Sequence, residues 1–164
     1  MKSTEYPLKQ VIQVKQRRVD QAEKMAIEKR NILEKEQKKL AELEAQRDEV
    51  KKHKQQKLEQ LRHTMDEGTT SAKIQQMKAY LKVVDEKLKG EEKKVKEQKS
   101  QVDLAQKNLE EAKADLRKKR QEVEKILTHK KGWEKEIHKE IQKQEALEED
   151  EIGSIIHSLH RRRA

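Results

Sequence analysis

One stretch decides the fold, and from residue 74 to residue 133 it reads IQQMKAYLKVVDEKLKGEEKKVKEQKSQVDLAQKNLEEAKADLRKKRQEVEKILTHKKGW. Every seventh residue of it is apolar: Ile74, Leu81, Leu88, Val95, Val102, Leu109, Leu116 and Val123. The companion series, three residues later, is mostly apolar or small: Met77, Val84, Glu91, Gln98, Ala105, Ala112, Lys119, Ile126 and Trp133. A heptad repeat with two apolar positions keeps one side of a helix facing a partner helix. The stretch therefore predicts a long coiled-coil helix.

The composition excludes an ordinary globular core. Of the 164 residues, 31% are hydrophobic and 45% are charged, and the chain has no Phe and one Trp. Such a chain is either disordered or forms long helices that bury only one side, and the heptads favour helices. The formal net charge is +9, with basic and acidic residues interleaved, which is typical of a solvated coiled-coil surface.

A break between two helices is predicted at residues 63 to 71. Gly68 can end the first helix in the left-handed conformation, and Thr69, Thr70 and Ser71 can cap the start of the second. Before the break runs a weaker apolar series, which consists of Leu8, Ile12, Val19, Ala22, Ala26, Leu33, Leu40, Leu43, Val50 and Leu61. Two long helices joined by a short loop should fold back on each other.

We therefore predict an all-α fold, an antiparallel two-helix coiled-coil hairpin with a longer, overhanging C-terminal helix. One domain, residues 1–164, would contain a first helix over about 7–64, a loop over about 65–71 and a second helix over about 72–160. Pro7 suits the first turn of the first helix, because its missing N–H has no partner there in any case.

The pairing register follows from the position of the loop, since antiparallel partners have residue numbers with a constant sum. A sum of about 138 centres the loop and pairs apolar residues with each other. The pairs are Ile12 with Ile126, Ala26 with Ala112, Leu33 with Ala105, Leu43 with Val95 and Val50 with Leu88. The same register predicts an ion pair between Arg47 and Glu91.

Residues beyond Lys131 have no predicted partner within the chain, yet they include many apolar side chains. We predict that they form a protein-binding surface, because an apolar surface that its own chain leaves uncovered marks an interaction site. The candidate partner-binding residues are Trp133, Ile137, Ile141, Leu147, Ile152, Ile155, Ile156, Leu159, Arg161, Arg162 and Arg163. Trp133 has a second and favoured interpretation, in which it closes the open end of the hairpin over Tyr6 and Leu8. Gly153 and Ser154 are expected to weaken the helix.

The sequence contains no catalytic constellation and no glycine-rich phosphate loop, so we predict a non-enzyme without a cofactor. Cysteine is absent, which removes disulfides and thiolate zinc sites. His157 and His160 are spaced to contact one metal ion, but no further ligand lies near them in sequence, and solvated histidines are the favoured interpretation. The N-terminus lacks the apolar core of a signal peptide, and no apolar run reaches the ~20 residues that span a bilayer. We expect a cytosolic protein without membrane insertion.

Two alternatives to a protein-binding hairpin are open. Basic clusters at residues 118–120, 130–131 and 161–163 could bind nucleic acid or another anionic surface. Flanking acidic residues and the lack of aromatic residues to stack on bases disfavour that alternative. In the second alternative, the overhangs of several chains pair with one another in a self-associating scaffold.

Several stretches resemble one known family, the YscO/FliJ proteins of type III secretion and flagellar export. They are the basic helix at residues 8–18, the Gly-Thr-Thr-Ser loop at 68–71, residues 102–105, residues 116–120 and the acidic segment at 147–152. The chain departs from the family in lacking Phe, which puts aromatic contacts with an export gate in doubt.

The resemblance implies an antiparallel coiled coil similar to the central stalk of rotary ATPases. It also implies three kinds of protein partner: the hexameric secretion ATPase, the export gate and secretion chaperones. The open end of the hairpin would enter the ATPase ring. The chain would be a monomer when free, and it would act in the cytoplasm, at the cytoplasmic face of a membrane-embedded secretion system.

Overall fold

A computed structural model of the chain describes residues 5–163. It contains helix α1 (Lys9–Glu67) and helix α2 (Ser71–Arg163). Both helices extend further towards the C-terminus than the sequence predicts. The imidazole of His63 lies 3.2 Å from the Glu67 carboxylate, one turn later, and this contact supports the last turn of α1. Basic residues fill the last turn of α2, where they complement the negative end of the helix dipole.

The turn between the helices has the predicted chemistry. Gly68 has a φ of 83°, and its N–H donates to the carbonyl oxygen of Met65 at 3.3 Å. This is the left-handed residue that ends many helices. The hydroxyl oxygen of Thr70 accepts a hydrogen bond from the N–H of Lys73 at 3.4 Å, so Thr70 caps the start of α2.

The chain divides into two compact units, and the first contains residues 5–23 and 115–163 of the described chain. Its buried cluster consists of Tyr6, Ile12 and Ile126, with Trp133 packed against it. Ion pairs flank the cluster, from Lys15 to Glu122 at 3.3 Å and from Arg120 to Glu23 at 2.8 Å. Residues later in α1 contact residues earlier in α2, which is the antiparallel arrangement.

The second unit contains residues 24–114. Its buried cluster consists of Leu33, Ala105 and Leu109, with Val102 packed against it. Nearer the turn, the ammonium group of Lys54 lies 2.5 Å from the carboxylate of Asp85. The two helices are again antiparallel.

The predicted heptad positions are the ones that pack. Every position of both series between Ile74 and Trp133 is buried or half-buried. The α1 series is also buried or half-buried throughout, except for Leu8, which is 39% exposed. The fold class is therefore confirmed: the chain is an all-α, antiparallel two-helix hairpin with a longer C-terminal helix. Neither helix, as far as the structure describes it, contains a segment long and apolar enough to cross a membrane.

The predicted register is confirmed at two places and wrong at one. Ile12 shares a cluster with Ile126, and Leu33 shares one with Ala105. The ion pair between Arg47 and Glu91 was predicted wrongly, because each side chain has a partner on its own helix. The Arg47 guanidinium donates to Asp48 at 3.0 and 3.1 Å, and Glu91 accepts from Lys94 at 3.4 Å. The other three apolar pairs stay predictions.

Candidate functional site

Aromatic side chains close the open end of the hairpin in the first unit. The ring of Tyr6 packs edge-on against Trp133, with 5.4 Å between ring centroids and 63° between planes. The hydroxyl of Tyr6 forms a 2.6 Å hydrogen bond with Nδ1 of His129. Tyr6 is buried and Trp133 is half-buried. This is the closing role that the sequence favours for Trp133, with Tyr6 as its contact.

An open cleft lies beside this aromatic pair. It is lined by Glu5, Tyr6, Pro7, Lys9, Gln10, Gln13, Trp133, Glu136, Ile137 and Glu140. Carboxylates and amides share the lining with only a few apolar side chains, and the cleft is open to solvent. Catalytic groups need a water-excluding pocket to have their protonation tuned, so this cleft favours contact with a partner over chemistry.

Beyond the cleft, α2 continues without a packing partner among residues 5–163. We call residues 141–163 the C-terminal extension, and all of its residues are exposed. The large apolar residues have exposed fractions of 37% for Ile141, 64% for Leu147, 56% for Ile152, 57% for Ile155, 52% for Ile156 and 53% for Leu159. The helix is unbroken through Gly153 and Ser154, and the expectation that these residues weaken it stays a prediction.

Four of these residues form one continuous surface, which we call the apolar stripe: Ile152, Ile155, Ile156 and Leu159. Their spacing of three, four and seven residues places them on one face of the helix. Two acidic residues, Glu148 and Glu149, precede the stripe on the same face, and two basic residues, Arg162 and Arg163, follow it. The stripe is therefore bounded by opposite charges at its two ends.

The structure separates the remaining predicted site residues from the stripe. Trp133 and Ile137 line the cleft at the open end of the hairpin, beside the aromatic pair. Ile141 shares the face of the stripe but lies about three turns before it. At about 100° per residue, Leu147 is rotated by about 130° from the centre of the stripe, and Arg161 lies on nearly the opposite face.

Two features of the hairpin were missed by the sequence analysis. Val83 and Leu104 are exposed apolar residues of α2 outside the packed face, 62% and 52% exposed. They occupy the same heptad position, so a search of each heptad position for apolar residues would have found them. Gln98, noted only as part of a heptad series, is a buried amide that bonds to Glu36 across the hairpin.

Within residues 5–163, no group of three His, Asp or Glu side chains is placed to hold a metal ion. His160 instead contacts the carbonyl oxygen of Ile156 at 3.2 Å through Nδ1. The described residues present long exposed helical faces and an open cleft. The fold places the chain in the class of antiparallel coiled-coil hairpin proteins.

Comparison with known proteins narrows this class. The YscO-like protein family matches residues 3–163. A solved Chlamydia trachomatis protein, CT670, described as a YscO homolog, is 50% identical over 97% of this chain and 98% of its own, with a TM-score of 0.92. A chain from the Chlamydia pneumoniae CdsV and CdsO protein complex is 55% identical over 51% of this chain and 98% of its own, with a TM-score of 0.49. No curated protein matches. The chain belongs to the YscO-like family, whose members are structural components of type III secretion.

Proposed function

We propose that this chain is a non-enzymatic stalk and escort of the type III secretion apparatus. Its C-terminal extension would bind the hexameric secretion ATPase, and the hairpin would link that ATPase to the export gate and to secretion chaperones. The chain would act in the cytoplasm, at the face of the membrane that carries the apparatus. Family membership supports the secretion system as the setting.

The single observation that carries the proposed ATPase contact is the uncovered apolar stripe. Four large aliphatic residues are each more than half exposed on one helical face, and soluble helices normally bury such a face. Arg162 and Arg163 extend the same face, and arginine beside an apolar centre is typical of binding hot spots. Docking on a partner would remove the stripe from water.

Within the first unit, the helix joins this surface to the packed residues without a break. Helix α2 runs unbroken from Ser71 to Arg163, so the extension and the packed part share one backbone. The aromatic pair of Tyr6 and Trp133 fixes the point at which α2 leaves its packed region in the first unit. A partner bound to the extension would therefore be held by a continuous helix, as a stalk requires.

A truncation tests where the ATPase binds. We would measure the affinity of the purified secretion ATPase from the same organism for the intact chain and for a chain that ends at Gln144. A chain truncated after Gln144 still contains Trp133, Ile137 and Glu140, so it keeps the aromatic pair and the cleft at the open end of the hairpin. We expect the truncated chain to remain helical by circular dichroism and to bind at least about 100-fold more weakly, a loss of about 2.8 kcal/mol.

Point variants locate the contact more closely. Ile156→Lys places a charge in the stripe and should weaken ATPase binding by about 10-fold or more. Val83→Lys is the matched control, since Val83 is also an exposed aliphatic residue of α2. If Val83→Lys weakens binding and Ile156→Lys does not, the contact lies on the hairpin and the extension assignment fails. Affinity for RNA that falls steeply with salt, without ATPase binding, would support the nucleic-acid alternative instead.

A further inference from the structure

The C-terminal extension is complementary to itself when read in opposite directions. Place two copies antiparallel, with Ile155 of one opposite Ile156 of the other. Ile152 then lies opposite Leu159, Glu149 opposite Arg162 and Glu148 opposite Arg163. Apolar residues meet apolar residues in the centre, and carboxylates meet guanidinium groups at both ends. We infer that the extension pairs with a second copy of this chain in this register.

All of the residues that this pairing uses lie on one face. Glu148 and Glu149 precede Ile152 by four and three residues, and Arg162 and Arg163 follow Leu159 by three and four. Residues at these spacings are neighbours on a helix surface. The face is also available, because every residue of it is exposed and no part of the described chain covers it.

The pairing register distinguishes the charged residues that contact the second copy from those that face away from it. Asp150 and Arg161 would also come level with each other, but each lies on nearly the opposite face of its helix at about 100° per residue. They cannot reach across the pair. The interface therefore consists of four charged residues and four aliphatic ones from each chain, and the neighbouring charged residues serve as internal controls.

The pairing is isologous, since both copies use the same surface and each contact occurs twice. Such an interface closes on itself, so it produces a dimer and not a growing filament. The contact covers about four helical turns of one helix per chain, which places it among small, transient interfaces. A dissociation constant on the order of 100 μM is expected, and salt should weaken the pairing by screening its exposed ion pairs. The predicted monomer thus becomes a monomer–dimer equilibrium.

Sedimentation equilibrium of the full chain at low salt tests the pairing. The weight-average mass should rise from 19.5 kDa towards twice that value as concentration increases. A basic-to-acidic variant, Arg162→Glu with Arg163→Glu, should weaken self-association by about 10-fold or more, because all end charges become negative. An acidic-to-basic variant, Glu148→Arg with Glu149→Arg, should do the same with all end charges positive. These exposed substitutions should leave the circular dichroism unchanged.

Mixing the two variants supplies the decisive result. Two copies of the same variant repel each other, because all their end charges have one sign. An acidic chain and a basic chain have opposite charges at both ends of the interface, so the mixture should associate. The chain with all four substitutions should again associate with itself. Arg161→Glu is the control. It should change the dissociation constant of the dimer by no more than about twofold, because Arg161 lies on the other face of the helix.

Three results would overturn the inference: a mass that stays monomeric up to millimolar concentration, self-association that survives in both charge variants, or a mixture that does not associate. The pairing and the proposed ATPase contact use the same stripe, so they exclude each other, but neither requires the other. A natural chain that stays monomeric but binds the ATPase would remove this inference alone. Self-association in a chain that binds no ATPase would remove only the proposed function.

Discussion

The side-chain amide of Gln98 donates a 3.0 Å hydrogen bond to the backbone carbonyl oxygen of Glu36 and a second bond to its carboxylate. Gln98 is 4% exposed and lies at a heptad position between Val95 and Val102. A polar residue at such a position favours one pairing of the helices, because every shifted register leaves the amide without its partner.

Removing only the Gln98 amide should destabilise the hairpin. We expect Gln98→Ala to lower the free energy of unfolding by about 1–3 kcal/mol, since a cavity forms and Glu36 loses its partner. Replacing both residues, with Gln98→Leu and Glu36→Leu, should raise it by about 1–3 kcal/mol. Urea unfolding followed by circular dichroism measures both changes. A double variant less stable than the natural chain would show that the pair contributes more than an apolar layer does.

The contact between Tyr6 and Trp133 can be followed by fluorescence, because Trp133 is the only tryptophan. Tyr6→Ala should shift the Trp133 emission to longer wavelength, since the indole loses its ring contact and meets water. It should also lower the free energy of unfolding by about 2–4 kcal/mol, because Tyr6 is buried. Tyr80→Ala is the matched control at the only other tyrosine, and its emission spectrum should stay at the natural position.

Two glycines should respond in opposite directions to alanine. Gly68→Ala should lower the free energy of unfolding by about 1 kcal/mol, because its φ of 83° strains any residue with a side chain. Gly90 lies inside α2, and an added Cβ would meet nothing within 4 Å. Gly90→Ala should therefore raise the free energy of unfolding by about 0.5–1 kcal/mol. Thermal or urea unfolding compares them, and equal effects of both substitutions would contradict the assigned helix end.

Asp85 gives the hairpin a pH dependence in acid. The hydrogen bond from Lys54, with the positive charges of Lys54 and Lys89, holds the pKa of the Asp85 carboxyl below its ordinary value of 3.8. A carboxyl whose pKa is lower in the folded state than in the unfolded state stabilises the fold at pH values above its unfolded-state pKa. This stabilisation disappears as the pH falls through the folded-state pKa.

We therefore expect Asp85→Asn to lower the urea midpoint at pH above about 5 and to have a shrinking effect as the pH falls below about 4. Urea unfolding curves at several pH values measure the difference. Asp103→Asn at an exposed position of α2 is the matched control substitution, and above about pH 5 Asp85→Asn should lower the urea midpoint more than it does. A difference for Asp85→Asn that persists unchanged at the lowest pH would show that charge is not its source.

The hairpin could be predicted from sequence because its determinants are local and periodic. The apolar residues from Ile74 to Trp133 repeat with the heptad, and Gly68 and Thr70 have the residue types that end and begin helices. Each of these signals depends on a few neighbouring residues. Residues 141–163 were also predicted as uncovered, because the first helix is too short to reach them. The same prediction began the overhang at Lys131, which is too early, since Trp133 packs against Tyr6.

Side-chain partners could not be predicted in the same way. The sequence predicts an ion pair between Arg47 and Glu91 on the other helix. A long polar side chain near the surface, however, can pair with any of several neighbours at similar energy. Arg47 bonds to its neighbour Asp48, and one carboxylate oxygen of Glu91 is buried without a hydrogen bond. The Gln98 bond was missed for the same reason, since composition does not reveal which polar residue in a heptad series finds a partner.

Because α2 is unbroken through the first unit, the number of residues between Trp133 and the apolar stripe determines the direction in which the stripe points around the helix axis. The apolar stripe is rotated by only about 60° from the packed face around Trp133 at about 100° per residue. A helix seated on the stripe would lie close to the line that α1 would follow if it were longer. Deleting one residue near Gln142 would swing the stripe by about 100° while leaving every one of its side chains in place, and deleting seven would nearly restore its direction. The length between the aromatic pair and the stripe thus encodes the direction from which a partner must approach.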